Sequence, residues 1–194
     1  MLVATVACSA TTQETGDLYQ ATAIVTGTDM RSRPTGFAHA LREVLVKLSG
    51  EPRLEKDPRV AEFAAHADLL VTSFDYVDQL AGIPIHDDQG TYDRPHDLTV
   101  RFDRKRIDEA LAELGERPWR GARPVIVPVL AVRGFAATYL LSAEQPAAAE
   151  QRGSLASVAG EYGVTVRIPT EAELAAWGVI IGGFPSLPAG SIPN

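Results

Sequence analysis

The sequence predicts an α/β protein made of two small domains, an N-terminal α+β domain followed by a C-terminal α/β domain. Apolar residues recur at helical spacing in segments such as FAHALREVLVKLSG, residues 37–50, and alternate at strand spacing in others. The segment ERPWRGARP, residues 116–124, has the proline and glycine content of a linker, and we predict the linker itself over residues 117–124. At 194 residues the chain has room for one ordinary domain or two small ones.

The composition limits the functional classes. Hydrophobic residues make up 45% and charged residues 22% of the chain, which is typical of a globular protein. A net charge of −7 argues against a general nucleic-acid binder, which needs an excess of Lys and Arg. The single cysteine, Cys8, excludes an internal disulfide and a multi-cysteine metal site. No apolar run reaches the roughly 18 residues needed to cross a bilayer, so we expect no transmembrane span.

The N-terminal domain is predicted over residues 18–116 and begins with a strand. In LYQATAIVTG, alternate residues from Tyr19 to Val25 share one face. A helix over residues 34–49 follows, with Ser32 as its N-cap and Gly50 after its last residue. The apolar face of this helix is predicted to pack in the core, and it comprises Phe37, Ala40, Leu41, Val44, Leu45 and Leu48.

Four further elements complete this domain. They are a helix over residues 58–69 capped by Asp57, a strand over 69–77, a strand in DLTVRFD, and a helix over 104–114 capped by Asp103. A polar loop separates the two strands. The order strand, helix, helix, strand, strand, helix predicts an α+β arrangement.

The C-terminal domain is predicted over residues 125–183 as a β-α-β-α-β unit, half of a doubly wound sheet. VIVPVLAV is continuously apolar, as a strand buried on both faces is, and Pro128 within it favours an edge or a bulge. Residues 133–150 are predicted to form a loop. The remaining elements are a short helix in SLASVAGEYG with Val158 facing inward, a strand in VTVRIP, a helix in EAELAAWG opened by a capping box of Thr170 and Glu173, and a last strand in VIIGG.

The ends of the chain differ in composition from both domains. MLVATVACSA is apolar and small while TTQETGD is polar, so residues 1–17 are predicted to be a residual signal segment or a disordered terminus. TVAC, residues 5–8, is similar to a lipoprotein cleavage box, and whether Cys8 is lipidated stays open. We expect a periplasmic or outer-membrane-anchored protein if a longer signal precedes this segment, and a cytoplasmic one otherwise. Residues 184–194 are predicted to be a flexible tail.

Several segments together resemble the domain of unknown function 2066 family. They are ALREVLVKLSG, the helix start DPRV, the aromatic strand FDYV, LTVRFDRKRIDEAL, and a W-x-x-x-RP pattern that leads into VIVPVLAV. The similarity extends from about Leu18 to Leu174. It implies an exported bacterial protein. The family has no established activity, so the resemblance assigns no functional residues.

The polar loop between the two strands carries residue types that bind divalent metals. Within HDDQGTYDRPHD these are His86, Asp87, Asp88, Asp93, His96 and Asp97. Their spacing matches no calcium loop or zinc signature, and a solvated loop is the alternative. His86 and His96 are the metal ligands that this hypothesis needs, and no other cofactor is predicted.

A basic segment is the strongest surface feature. Residues 94–133 carry a net charge of +3, while the rest of the chain carries −10. Arg104, Lys105 and Arg106 open a helix, where they favour an anionic partner such as lipid head groups or an acidic protein surface. The alternative is a solvated helix start with carboxylates nearby. Trp and Arg are frequent interface anchors, so the segment RPWRGAR adds three candidate binding residues, Trp119, Arg120 and Arg123.

The known motifs of nucleophile elbows, P-loops and dinucleotide sites are absent from the sequence. We therefore expect a non-catalytic protein of the bacterial cell envelope that binds a partner or acts in assembly. A metal-dependent hydrolase that uses the loop from His86 to Asp97 is the alternative. No nucleic-acid partner is expected, and the oligomeric state stays open.

Overall fold

The computed structural model of the protein describes residues 17–83, 94–133 and 138–181. The contacts divide the chain into two units. The first comprises residues 1–123 together with 161–163, and the second comprises residues 124–160 and 164–194. Both units mix helices with strands, which confirms the predicted α/β fold class. The predicted signal segment over 1–17, apart from Asp17, and the predicted tail lie outside the described residues.

The first unit is a three-stranded antiparallel sheet with helices packed on one face. Its helices and strands in chain order are β1 (Gln20–Thr26), α1 (Arg33–Ser49), α2 (Pro58–Ala65), β2 (Val71–Asp78), β3 (Pro95–Phe102) and α3 (Arg104–Glu113). The strand order is β1-β3-β2, so β3 is central and β2 lies at an edge.

Helix α1 forms the centre of the hydrophobic core, as its apolar spacing predicts. All six residues predicted for its inner face are buried. Ala21, Ala23 and Val25 of β1 are buried opposite them, which confirms the predicted alternation in that strand. A Cβ on Gly36 would lie 2.6 Å from Leu98 Cδ2, so the absence of a side chain at Gly36 allows α1 to approach the sheet closely.

The helix ends follow the predicted signals at most positions. Asp57 and Asp103 each accept a hydrogen bond from a backbone N–H in the first turn of α2 and α3, and Gly50 ends α1 with a φ of 74°. Ser32 occupies the predicted N-cap position of α1, but its backbone is helical and its side chain makes no capping hydrogen bond. The carboxylate of Asp29 instead accepts the N–H groups of Arg31 and Ser32.

Two element lengths in this unit differ from the prediction. Helix α2 ends at Ala65, before the predicted end at residue 69, and a separate 3₁₀ turn covers Ala67–Leu70. The break falls at His66, whose backbone leaves the helical region with a φ of −124° and a ψ of 30°. The third strand begins at Pro95, two residues before the predicted segment DLTVRFD.

After residue 124 the secondary structure is built from short elements. They are β4 (Val125–Ile126), β5 (Ala131–Arg133), β6 (Thr138–Leu140), α4 (Ala149–Glu161), β7 (Thr165–Val166) and α5 (Glu171–Ala176). Strands β4 and β7 pair in parallel across α4, which gives one β-α-β crossover. Strands β5 and β6 pair antiparallel. Thr170 and Glu173 form the predicted capping box at the start of α5.

Several details of the C-terminal prediction are corrected by the structure. The run VIVPVLAV is not one buried strand. It divides into β4 and the start of β5, because Pro128 has no backbone N–H to donate to a neighbouring strand. The run is also not fully buried, since Val125 is 50% exposed. Part of the predicted loop over 133–150 forms β6 and the first residues of α4. Val158 is exposed where an inward position was predicted.

The last predicted strand, VIIGG, lies partly outside the described residues. Residues 179–181 do not form a strand, and residues 182–183 are not described. Among the described residues, no helix combines the length and the apolar character needed to cross a bilayer.

Candidate functional site

A groove of about 500 Å³ lies beside the edge strand β2 in the first unit. Met30, Arg33, Phe37 and Asp68 line it together with residues 71–74 of β2. Its side chains therefore come from the segment before α1, from the first two turns of α1, from the 3₁₀ turn and from the strand. We call this feature the β2 groove.

A β-bulge shapes the strand side of the β2 groove. Val71 pairs with Phe102 and Ser73 with Arg101, so Thr72 is one residue in excess of the partner strand. The Thr72 hydroxyl donates to the Arg101 carbonyl at 3.0 Å. Beyond the bulge the regular alternation resumes, and Phe74 and Tyr76 both face the helices.

A row of aromatic rings follows this face of the sheet. The ring centroids of Phe37 and Phe74 are 5.3 Å apart, those of Phe74 and Tyr76 are 5.8 Å apart, and those of Tyr76 and His96 are 6.1 Å apart. Each pair is edge-to-face, the arrangement favoured by the charge distribution of aromatic rings. Phe37 is buried, while Phe74 is partly exposed in the groove.

Arg33 lies over this row with its guanidinium 4.7 Å from the Phe74 centroid. Its Nε donates to the Tyr76 hydroxyl at 3.3 Å and its Nη2 to the Thr28 carbonyl at 3.3 Å. Its Nη1 lies 3.1 Å from the Met30 sulfur. These partners are all uncharged. Within the described part of the chain, Arg33 takes part in none of the ion pairs.

The backbone of β2 presents hydrogen-bonding groups along the outer edge of the strand. The N–H of Gln79, the residue after the strand, donates to the Pro95 carbonyl, so its peptide groups point toward β3. Antiparallel strands alternate in this respect, so the peptide groups of Phe74 and Tyr76 point away from β3. No described strand pairs with β2 on that side.

The candidate binding residues Trp119 and Arg123 have partners inside the first unit. The Trp119 N–H donates to the Leu48 carbonyl at 2.7 Å, and its indole lies against Gly50. The Arg123 guanidinium stacks on that indole and donates to the carbonyl of Gly163 at 3.0 Å. Burial lowers the pKa of Arg123 from its usual value. These contacts join the chain after α3 to the end of α1.

Arg120 and Arg104 lie around the side chains of Asp108 and Tyr19. Asp108 accepts from the Tyr19 hydroxyl at 2.9 Å and forms an ion pair with Arg120 at 2.5 Å. The Arg104 guanidinium lies 5.3 Å from the centroid of the Tyr19 ring. The pKa of Tyr19 is raised above its ordinary value, mainly by burial and to a smaller extent by the hydrogen bond to Asp108.

The other two basic residues at the start of α3 also have local partners. Lys105 lies 3.8 Å from Glu109 in an exposed ion pair, and the Arg106 guanidinium donates to the Leu69 carbonyl. Their predicted role in binding an anionic surface stays a prediction. The structure brings them close to neighbouring elements of the same unit, and it does not gather them with Trp119 into one described site.

The predicted metal ligands are only partly described. His86 lies outside the described residues. His96 is in β3, where its ring packs on Tyr76 and its Nδ1 is 2.8 Å from the Arg94 carbonyl oxygen. Within the described ranges, no group of three or more His, Cys, Asp or Glu side chains is placed to hold a metal ion.

Sequence reasoning missed the β2 groove, although two signals for it were present. The alternation in FDYV places Phe74 and Tyr76 on one face of a strand, and RSRP places Arg33 at the start of a helix that packs on that face. The sequence does not indicate the order in which the strands pair. Only the observed order β1-β3-β2 shows that β2 lies at an edge of the sheet.

A known family model matches most of the first unit, which contains the β2 groove. Residues 12–120, more than half of the chain, match the model described as Domain of unknown function (DUF8605). The chain belongs to this family. This match confirms that the chain contains an uncharacterised domain. It does not support the predicted resemblance to the domain of unknown function 2066 family. No curated protein and no solved structure matches the chain.

Proposed function

We propose that this member of the DUF8605 family is a non-catalytic binding module that takes an extended segment of a partner protein along the edge of β2. The observation that supports this function most directly is the coincidence of an edge strand with the β2 groove. Extended segments bind such edges by adding a strand. Main-chain hydrogen bonds then supply affinity, and neighbouring pockets select alternate side chains.

The side chains of the groove suit recognition. Phe37 and Phe74 offer aromatic contact area, Met30 is 71% exposed and adapts its shape readily, and Arg33 offers charge. The hydroxyl of Thr72 is already donating to a backbone carbonyl. These contacts support binding more directly than they support a reaction.

The proposed location is the bacterial cell envelope. The small, apolar residues 1–10 and the polar segment after them support export. Mass spectrometry of the native protein tests this. We expect an N-terminus near residue 17 or 18, or a lipid on Cys8, in an envelope fraction. An intact, unlipidated Met1 terminus in a cytoplasmic fraction would contradict the proposal.

Site-specific photo-cross-linking tests the binding role. A benzoylphenylalanine at Ser73 places the reactive group at the β2 groove, and the same residue at Thr22 places it on the exposed face of β1 as the control. We expect one reproducible partner segment linked at Ser73 and absent at Thr22. No adduct at Ser73, or the same adducts at both positions, would contradict the proposal.

The linked segment then provides a test of strand addition. It is synthesised in two forms, each with N-methyl groups on alternate residues. Because alternate N–H groups of an added strand point toward its neighbour, one form should lose binding and the other should keep it. Equal binding by the two forms would show that the segment is not an added strand.

A further inference from the structure

The inference concerns which segments the β2 groove selects, and it rests on the proposed function. We infer that the groove selects an extended segment with an acidic side chain, Asp or Glu, facing Arg33. The same segment carries an apolar side chain against the rings of Phe37 and Phe74. The carboxylate pairs with the Arg33 guanidinium at the end of the groove where Phe74 lies.

The charge of Arg33 is the first reason. A guanidinium has five N–H donors, and the described contacts of Arg33 use three of them on a phenol oxygen, a carbonyl oxygen and a sulfur. None of these carries a negative charge. A carboxylate that reaches the remaining donors forms a charge-assisted hydrogen bond, which is stronger than a neutral one.

The fixed position of Arg33 is the second reason. Its guanidinium is held by three contacts and by the face of Phe74, and the side chain is partly buried. Because these contacts already restrict its rotamers, less conformational entropy is lost when a ligand binds. An exposed arginine without such contacts would not offer this advantage.

The position of Asp68 is the third reason. Asp68 lines the same groove, in the 3₁₀ turn that leads into Val71 at the start of β2. A carboxylate of the bound segment is repelled there and attracted at Arg33. In an added strand, side chains two residues apart share a face and are about 6.5 Å apart. Because the acidic side chain and the apolar side chain both face the groove, they are two residues apart in the segment.

Peptide selection tests this inference. A library of random ten-residue peptides is displayed on phage and selected against the 194-residue protein. We expect the enriched peptides to share Asp or Glu two residues from an apolar side chain. Replacing that acid by its amide in a synthetic copy should weaken binding roughly tenfold, as expected for loss of a charged hydrogen bond.

Two arginine variants provide a matched pair. Arg33→Gln should weaken the acidic peptide roughly tenfold and should remove the difference between the acid and its amide. Arg101→Gln makes the same change in net charge on the exposed face of the sheet, where Arg101 pairs with Asp75, and it should leave the affinity unchanged. Arg33→Lys should keep the preference for the acid.

The outcomes separate this inference from the proposed function. Peptides that bind β2, as shown by alternate N-methylation, but have no shared acid would overturn the inference and leave the proposed function standing. Failure to select any peptide that competes at the β2 edge would overturn both. If Arg33→Gln fails to fold, the comparison of acid and amide peptides on the unmodified protein still decides the matter.

Discussion

The guanidinium carbon of Arg123 lies 4.7 Å from the centroid of the Trp119 ring, and both residues contact the carbonyl of Leu48 at the end of α1. Four backbone carbonyls surround the Arg123 guanidinium within 3.5 Å. The pair therefore joins three separate parts of the chain in the first unit. Its partners lie within the unit, so its mutations are expected to act on stability.

The first prediction is that Trp119→Ala lowers the free energy of unfolding of the first unit by about 2 kcal/mol. The change removes apolar contact with Gly50 and the stacking with Arg123. Denaturant titration measures the effect. Arg117→Ala, at an exposed position nearby, is the control and should change stability by less than about 0.5 kcal/mol. Equal midpoints for the two variants would show that Trp119 is not structural.

The second prediction is that Leu45→Asp prevents folding of the first unit. Leu45 is fully buried in the core, and an unpaired carboxylate there has no partner to offset its desolvation. Ile24→Asp places the same charge on the exposed face of β1, where Ile24 is 71% exposed, and should fold normally. Circular dichroism and thermal melting compare the two. A folded Leu45→Asp variant with an unchanged midpoint would contradict the prediction.

The third prediction concerns two helical glycines with opposite surroundings. Gly36→Ala should destabilise the first unit by about 1–3 kcal/mol, because its Cβ would lie 2.6 Å from Leu98 and 2.7 Å from Val25. Gly153→Ala meets no atom within 4 Å in α4 and should stabilise its own unit by about 0.5–1 kcal/mol. Equilibrium unfolding checks the two signs. A stabilising Gly36→Ala would mean that α1 does not approach the sheet this closely.

The fourth prediction concerns the pH dependence of the capping box in α5. The hydrogen bond from Arg167, with that from the Thr170 backbone, lowers the pKa of Glu173 to about 2. Because the folded pKa lies below the unfolded value near 4.5, the stabilisation is complete above about pH 4.5 and is lost as the pH falls toward 2. Glu173→Gln should flatten the stability curve of the second unit in this window.

Titration of the Glu173 carboxyl by NMR measures this pKa directly. Glu150→Gln is a suitable control for the stability curve, because Glu150 is an exposed glutamate of the second unit outside the capping box. A titration midpoint for Glu173 near 4.5 would show that the ion pair with Arg167 does not persist in solution.

The core of the first unit could be predicted from sequence because its signals are local. The helical spacing from Phe37 to Leu48, the alternation in β1 and the carboxylate caps of α2 and α3 each depend on residues a few positions apart. Ser32 shows the limit of such reasoning. A serine before a helix is a good N-cap candidate, but Asp29 accepts the local N–H groups first.

The candidate site could not be predicted in the same way, because it depends on contacts between distant segments. Arg33 and Phe74 are 41 positions apart and meet only when α1 packs on the sheet. The binding roles predicted for Trp119 and Arg123 from composition remain predictions. These residue types are common in interfaces, but the same aromatic and cationic groups also pack within a fold, and only their partners distinguish the two cases.

The contact between Arg123 and Gly163 has a consequence for the order in which the protein is made. The ribosome synthesises a chain from its N-terminus at about 5–20 residues per second, and domains generally fold as they emerge. Residues 161–163 belong to the first unit, yet they are made after the whole of the second unit's segment 124–160. While that segment is being synthesised, Arg123 lacks the carbonyls of Tyr162 and Gly163. The first unit therefore completes its native contacts only after translation has passed residue 163.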